Sequence, residues 1–544
     1  MQELLDRVDA LVADARDASN LPLSEVERLV NLACASASLV VPPQLPLEIL
    51  LRIAQLVHIP HDFAREEFHD DNDDDNERDD NHDSLLERST TFRSNSTRLL
   101  QLSTRLWNDM PRTPPLEPHQ VATLFVAYTR FLQPAFSTRF SDPELRKVSS
   151  NLVSILLDVD AAVRISILTY LVRTTLPTRF KPHPHVNPHS GRVLSRPLGG
   201  TTGRARDAGS ELAEEGSGWK TIVGLSGVVL TIIQSLDDQQ VEDLWPWLLP
   251  PVLSFLDDHD PRNKIQGLDL LDELLNKTSR SLLVRTGVGK VFQQSLEVVF
   301  SNLSDPLSPI LLETAHPVAL KLVQLVYPTH QSLAVAAGAT NEESKRKASE
   351  ARFEAMCRYF EHSILKSWEY KSGQFEIERV AVRALERWIA ILQNSEGGEG
   401  GSVLVRYFGI LAPHLVDLLL DSTTRAASHS KRGELSRDLF QLRSSAITIV
   451  AKLLTDPIGS KRWNRWQPLI VSRVAKSWVE VRELQCDNND KSRSDLARRA
   501  QEAYEQELRN FVRLCLQDLD HQQHDRWKEL RELDPIFHDL VPEF

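Results

Sequence analysis

The segment 244–297, LWPWLLPPVLSFLDDHDPRNKIQGLDLLDELLNKTSRSLLVRTGVGKVFQQSLEV, constrains this chain more than any other. Apolar residues recur at spacings of three and four on both sides of a short acidic turn. That pattern predicts an apolar helix, a tight turn, a second apolar helix, a short break and a third helix. Pro246, Pro250 and Pro251 are expected in the first turns of the first helix or just before it, where a missing N–H costs least. Leu248, Leu249, Val252, Leu253, Phe255 and Leu256 supply its buried stripe. Asp257, Asp258 and Asp260 then crowd before Pro261. Asp260-Pro261 reads as an N-cap followed by the first helical residue, since the carboxylate accepts an orphan N–H and proline presets φ. Beyond it Ile265, Leu268, Leu271 and Leu275 share one face, widened by Leu270 and Leu274. So broad a stripe suits a helix packed between two neighbours.

The pattern returns. In 151–172, Asp158, Asp160, Arg164, Leu168 and Leu171 align with Asp258, Asp260, Lys264, Leu268 and Leu271. Further Asp-Pro dipeptides at 142–143, 305–306, 456–457 and 534–535 adjoin apolar helical runs. They mark helix boundaries, because proline drives the residue before it out of the α region. Paired helices with recurrent acidic turns predict an all-α fold, a HEAT-like helical-repeat solenoid (an α-α superhelix) with disordered insertions. Within it, Asp160/Arg164 and Asp260/Lys264 form either an ion ladder between repeats or plain N-caps beside solvated cations. A single core rarely grows to 544 residues, whereas a solenoid can, because each repeat contacts only its neighbours.

Composition divides the chain. Residues 1–60 read as an N-terminal helical region and 61–84 as an acidic insertion too poor in apolar surface to order itself. Helical repeats follow over 85–180. A second insertion, rich in Pro, His and Gly, spans 181–218 and is expected to be disordered. Central repeats occupy 219–392, a Gly-rich linker 393–402 and C-terminal repeats 403–544. The histidines of the insertions (His61, His69, His82, His183, His185, His189) lack fixed ligand spacing and read as loop residues.

Several function classes are disfavoured. The chain carries 63 basic against 76 acidic residues, a net charge of −13, which opposes phosphate neutralisation and so nucleic-acid binding. The basic clusters at Lys345–Lys347 and Arg425–Arg437 read as solvated loops. The apolar run 222–233 is shorter than the roughly 20 residues a bilayer requires and reads as a buried helix. The first residues resemble neither a signal nor a transit peptide. Cys34, Cys357, Cys486 and Cys515 stand far apart, so a reducing compartment without disulfides is expected.

Catalytic signatures fail on inspection. Gly287-Val288-Gly289-Lys290 echoes a phosphate loop, but Val291 stands where Ser or Thr would hold the metal and Val284 where the first Gly belongs. Gly224–Val228 misses the nucleophile elbow by one residue, and His521–His524 lacks the spacing of a zincin. The expectation is a non-enzymatic chain with no catalytic residue, no cofactor and no metal. Trp245, Trp247, Trp463 and Trp466 read first as core. Trp463 and Trp466, three apart and so on one helix face, are also candidates for partner binding.

Residues 244–328 are similar to the signature of the Tti-two family. There a Leu-Pro-Pro-x-Leu helix leads to Asp-Asp, then Lys-x-x-Gly, then Thr-Gly before a Val-Phe helix. The matching positions are Leu249, Pro250, Pro251, Leu253, Asp257, Asp258, Lys264, Gly267, Thr286, Gly287, Val291 and Phe292. The chain departs from the family at Asn302–Asp305, where Leu-Pro is usual, and in its two insertions. The resemblance implies a scaffold subunit of the TTT co-chaperone complex, partnered by Tti-one and Tel-two, in the cytoplasm and nucleus. It further implies work with Hsp90 and its R2TP adaptor in maturing phosphatidylinositol-3-kinase-related kinases, among them TOR and the DNA-damage checkpoint kinases. The alternative within the same fold is a nuclear transport receptor, whose acidic loop contacts a GTPase.

Overall fold

A computed structural model describes residues 2–14, 17–36, 44–64, 79–109, 117–133, 139–195, 218–327, 342–371, 374–393, 399–420, 432–455, 457–486, 495–518 and 524–543. Among them the only β contact is an isolated antiparallel bridge between Val186 and Val193. The fold is an all-α helical-repeat solenoid, and the chain divides into two compact units, Met1–Ser295 and Leu296–Phe544.

The first unit contains α1 (Gln2–Asp14), α2 (Leu23–Ser36), α3 (Gln44–Leu56), α4 (Asp79–Asp109), α5 (Pro118–Thr129), α6 (Pro143–Leu157) and α7 (Ala161–Tyr170). After these come α8 (Leu225–Ser235), α9 (Asp238–Leu256), α10 (Pro261–Asn276) and α11 (Arg280–Thr286), and α12 (Gly289–Val299) runs across the unit boundary. Helices pack on the second one along as well as on the next: α1 on α3, α2 on α4, α3 on α5, α4 on α6 and α5 on α7. This alternation stacks helical hairpins in two layers, so each broad apolar stripe is covered from two sides.

The second unit holds α13 (Ser308–Val326), α14 (Glu342–Tyr359), α15 (Lys366–Lys371), α16 (Phe375–Gln393), α17 (Glu399–Asp417), α18 (Arg432–Thr455), α19 (Pro457–Cys486), α20 (Asp495–Asp518) and α21 (Asp525–Leu533). The same rule holds for α16 on α18, α17 on α19, α18 on α20 and α19 on α21, while α14 packs on α17, the third helix along, past the short α15. By length and composition α13 could cross a membrane, yet half of it is buried in the fold, against α14 and α16. Cys357 and Cys515 are both buried.

The Asp-Pro boundaries follow capping chemistry. Asp142 accepts from Leu145 N at 2.8 Å and starts α6, and Asp260 accepts from Arg262 N at 2.9 Å and starts α10. Asp534 caps a short 3-10 turn the same way. Asp305 instead caps the turn before α13 by accepting from Leu307 N. Asp456 lies outside the described residues, with Pro457 opening α19.

Several expectations need correction. The helix with Pro246, Pro250 and Pro251 begins well upstream, at a capping box of Asp237 and Gln240, and passes through all three prolines. Each proline removes one i→i−4 bond, but Trp245, Leu248, Leu249, Val252, Leu253 and Leu256 are fully buried and hold the helix together. The "short break" after α10 contains a helix of its own, α11, and the buried helix expected over 222–233 starts at Leu225. Residues 181–195, expected to be disordered, are folded against α9 and α11; 196–217 lie outside the described residues. Of the acidic insertion, 61–64 form a 3-10 turn with Phe63 packed on Phe92 at 5.4 Å, and α4 begins at Asp79; 65–78 lie outside. Residues 399–402 of the expected linker belong to α17, and 394–398 lie outside.

Candidate functional site

Of the family-like positions, Asp257, Asp258, Lys264 and Gly267 meet at the turn between α9 and α10. Lys264 and Gly267, one turn apart on α10, both face the end of α9. The Lys264 ammonium is buried and donates to the Leu256 carbonyl at 3.1 Å, satisfying an orphan acceptor at the helix C-terminus. Burial lowers its pKa, while Asp257 and Asp258 pull the other way. Lys264 is therefore neither a solvated cation nor a rung of an Asp260 ladder: Asp260 is held by Arg262 at 2.7 Å. Asp160 is likewise an N-cap, bonded to Ala162 N at 3.1 Å, and Arg164 is exposed. Gly267 permits the close crossing. A Cβ there would sit 2.7 Å from Leu256 N and 2.8 Å from the Phe255 carbonyl carbon.

The two neighbouring acids are committed elsewhere. Asp258, buried, accepts from its own turn at Asp260 N (2.8 Å) and pairs with Lys220 at 2.6 Å. Asp257 meets His183 Nε2 at 3.0 Å. Burial pushes the Asp257 pKa up, but hydrogen bonds from His183 and Ser295 and the charges of His183 and Lys264 carry it below the usual carboxylate value. His183 belongs to the segment 181–195. That segment turns through Asn187, whose side-chain oxygen accepts from His189 N and Ser190 N, and returns to donate Val193 N to the Thr286 carbonyl at 2.9 Å.

Thr286 and Gly287 end α11. The Thr286 hydroxyl donates to Leu282 O at 2.7 Å, and Gly287, at φ 74°, closes the helix by donating to Leu283 O. Such a left-handed C-terminal residue is the reason for glycine, and it leaves Gly287-Lys290 a helix stop instead of a phosphate cradle. Val291 and Phe292 bury the first turn of α12, and Leu249, Leu253 and Pro251 lie in the buried face of α9, with Pro250 half-buried.

Aromatic rings close the site. Trp219 packs on Phe255 at 4.4 Å and stacks with Phe180 at 6.0 Å, so the residues on either side of the insertion meet at the end of α9. Trp245 is core, and Trp247 is half-buried beneath the Arg173 guanidinium at 4.7 Å. Trp466 is half-buried with Arg465 5.3 Å from its ring. The Trp463 side chain lies outside the described residues, as do His521–Gln523.

Chemically, this arrangement is saturated. Each acidic group of the turn already has a partner within the fold, and among the described residues no group of three or more His, Cys, Asp or Glu is placed to hold a metal ion. The clasp of His183 and Lys220 on the acidic turn was not legible beforehand, because neither residue lies in a periodic segment. The nearest signal was the acidic triplet itself, which exceeds what one N-cap needs. The model of the Tti2 family matches residues 131–396, a span that contains the clasp, the turn and all twelve signature positions.

Proposed function

Because the chain belongs to the Tti2 (Tti-two) family, we propose that it is a non-enzymatic scaffold subunit of the TTT co-chaperone complex, partnered by Tti-one and Tel-two. In this role it supports Hsp90- and R2TP-dependent maturation of phosphatidylinositol-3-kinase-related kinases, in the cytoplasm and nucleus. The observation that carries the proposal is the family match across the α9–α10 turn, where the charged side chains of the signature are engaged in holding helices together. A repeat scaffold of this kind offers surface, and its affinity comes from area and a few anchors.

Affinity capture of the full chain from cell extract, followed by mass spectrometry, tests the assignment. Tti-one, Tel-two and the large kinases are expected. Recovery of a Ran-type GTPase with diverse cargo, and no TTT subunit, would overturn it in favour of the transport receptor.

A further inference from the structure

From Ala161 to Arg206 the sequence contains eight Arg and Lys and no Asp or Glu, in a chain whose net charge is −13. Elsewhere in the first unit arginines find carboxylates: Arg88 pairs with Asp62, Arg98 with Glu27, Arg262 with Asp260 and Arg285 with Glu242. The acid-free run denies its own cations such neighbours. Other elements would have to supply them, and for three arginines they do not.

Arg173, Arg179 and Arg192 are exposed and lie along α9. Residues 171–178 pack on that helix, and the Arg173 guanidinium covers the half-buried Trp247 ring at 4.7 Å. Gly191, at φ 62°, brings the hairpin down on the same turn: a Cβ there would sit 2.6 Å from Trp245 Cδ1 and 3.4 Å from Pro246 Cα. Arg192 follows it directly. Arg179 precedes Phe180, whose ring lies 6.1 Å from that of Phe255. The three arginines are thus strung between Pro246 and Phe255, about 14 Å of helix. Among the described residues none of them forms an ion pair. The acids of α9 beyond its opening residue are engaged: Asp257 by His183, Glu242 by Arg285 and Asp243 by Gln239 at 3.2 Å. Helix α11, on which the hairpin also rests, has no acid. Beside the cations Val193 and Val284 are 36% and 56% exposed, with Val193 N–H tied to Thr286 of the helix that carries Val284.

We propose that this face binds an acidic segment of a partner protein, its carboxylates on Arg173, Arg179 and Arg192 and its apolar side chains on Trp247, Val193 and Val284. Cations without a local counter-charge, beside exposed apolar surface, suit a chain that carries acid and apolar residues together, and Arg with Trp is the composition of interface anchors. Four residues of extended chain, at about 3.3 Å each, cover nearly the same length, so acids at alternate positions reach all three arginines. A nucleic acid is the poorer fit. Its phosphates run beyond the patch and meet the acidic remainder of the surface, whereas a short segment feels only the field within about 8 Å. The inference rests on the scaffold reading above and assigns one of its docking surfaces.

The test is fluorescence anisotropy on the full chain with short labelled, amidated peptides in which Asp or Glu alternates with Leu or Phe. Matched peptides carry Asn or Gln instead, and a short DNA strand and its duplex provide a polyphosphate arm. The acidic peptide should bind about ten-fold more tightly than its amide counterpart, with the gap closing as salt rises. Arg179→Gln with Arg192→Gln should weaken it about five-fold at an unchanged urea midpoint, since both side chains are exposed. The charge-matched control, Arg28→Gln with Lys147→Gln, removes two exposed cations elsewhere and should leave binding unchanged. Equal affinity for both peptides, tighter binding of either nucleic acid, or equal losses from the two double variants would overturn the proposal. So would binding that appears only when residues 65–78 are deleted, because the chain's own acidic segment would then be the occupant. Capture of TTT subunits alongside any of those results would remove this surface and leave the scaffold standing.

Discussion

Gly267 and Lys264 show why a four-residue motif persists at a helix crossing. Gly267→Ala gains about 1 kcal/mol of helix propensity, but its new Cβ meets backbone of Phe255 and Leu256 at 3.0 Å or less. Overpacking of that kind costs about 1–3 kcal/mol, and backbone has little room to yield. A net loss of stability is expected as a lowered urea midpoint. Lys264→Ala should cost about 1–3 kcal/mol, because it strands the Leu256 carbonyl in the interior. Lys264→Met keeps most of the stem volume; if it costs as much as Ala, the hydrogen bond carries the effect, and if it is neutral, packing does. His316 behaves differently. It is fully buried, bonded through Nδ1 to the Tyr359 hydroxyl at 2.8 Å, and burial, with a smaller contribution from Arg387, lowers its pKa to about 3. Between about 3 and the ordinary value of 6.5 the unfolded chain binds a proton that the folded one refuses. Stability from this site is thus present above 6.5 and is lost as pH falls toward 3, with a slope approaching about 1.4 kcal/mol per pH unit. Measured between pH 7 and 5, the urea midpoint of His316→Asn should fall less steeply than that of the native chain.

At the scale of elements, the hairpin 183–195 is closed by its own backbone hydrogen bonds and pinned to the helices by tertiary contacts. Its deletion removes the His183–Asp257 pair, the Val193–Thr286 hydrogen bond and the buried Val186. The midpoint should drop by an amount corresponding to about 2–4 kcal/mol. Shortening the connection between Ser195 and Gly218 should cost far less, since loop length enters closure entropy only logarithmically. Equal losses from the two deletions would refute the distinction. The same contrast explains what could be read in the chain beforehand. The N-caps at Asp142, Asp160 and Asp260 were legible because capping is decided within three residues. The α10 stripe was legible because burial of Leu268, Leu271 and Leu275 follows from spacing alone. The start of α9 was misplaced because local proline chemistry yields to a capping box and a fully buried stripe. The burial of Lys264 could not be read because it depends on how α9 and α10 cross, and the order of 181–195 could not because its partners, Asp257 and Thr286, are distant in sequence.

For the whole molecule, the match of the Tti2 family model to residues 131–396 fits the scaffold reading proposed above. If it is a TTT subunit, its removal must register in protein abundance before anything else. Newly made kinases of the TOR and checkpoint type expose apolar surface for as long as they remain incompletely folded, and intermediates of that size are open to aggregation and proteolysis. Rapid depletion of this chain should therefore lower newly synthesised kinase within the first hours, while the mature pool declines only by dilution and turnover. Tti-one and Tel-two should fall with it, because a partner that binds only the native state stabilises that state by mass action. Pulse labelling separates the two pools, and quantitative immunoblotting follows the subunits. Restoring the chain with Gly267→Ala should rescue in proportion to the folded fraction that remains, since the lesion lies in the helix crossing. Unchanged kinase and partner levels over several divisions would exclude the co-chaperone role whatever the fold.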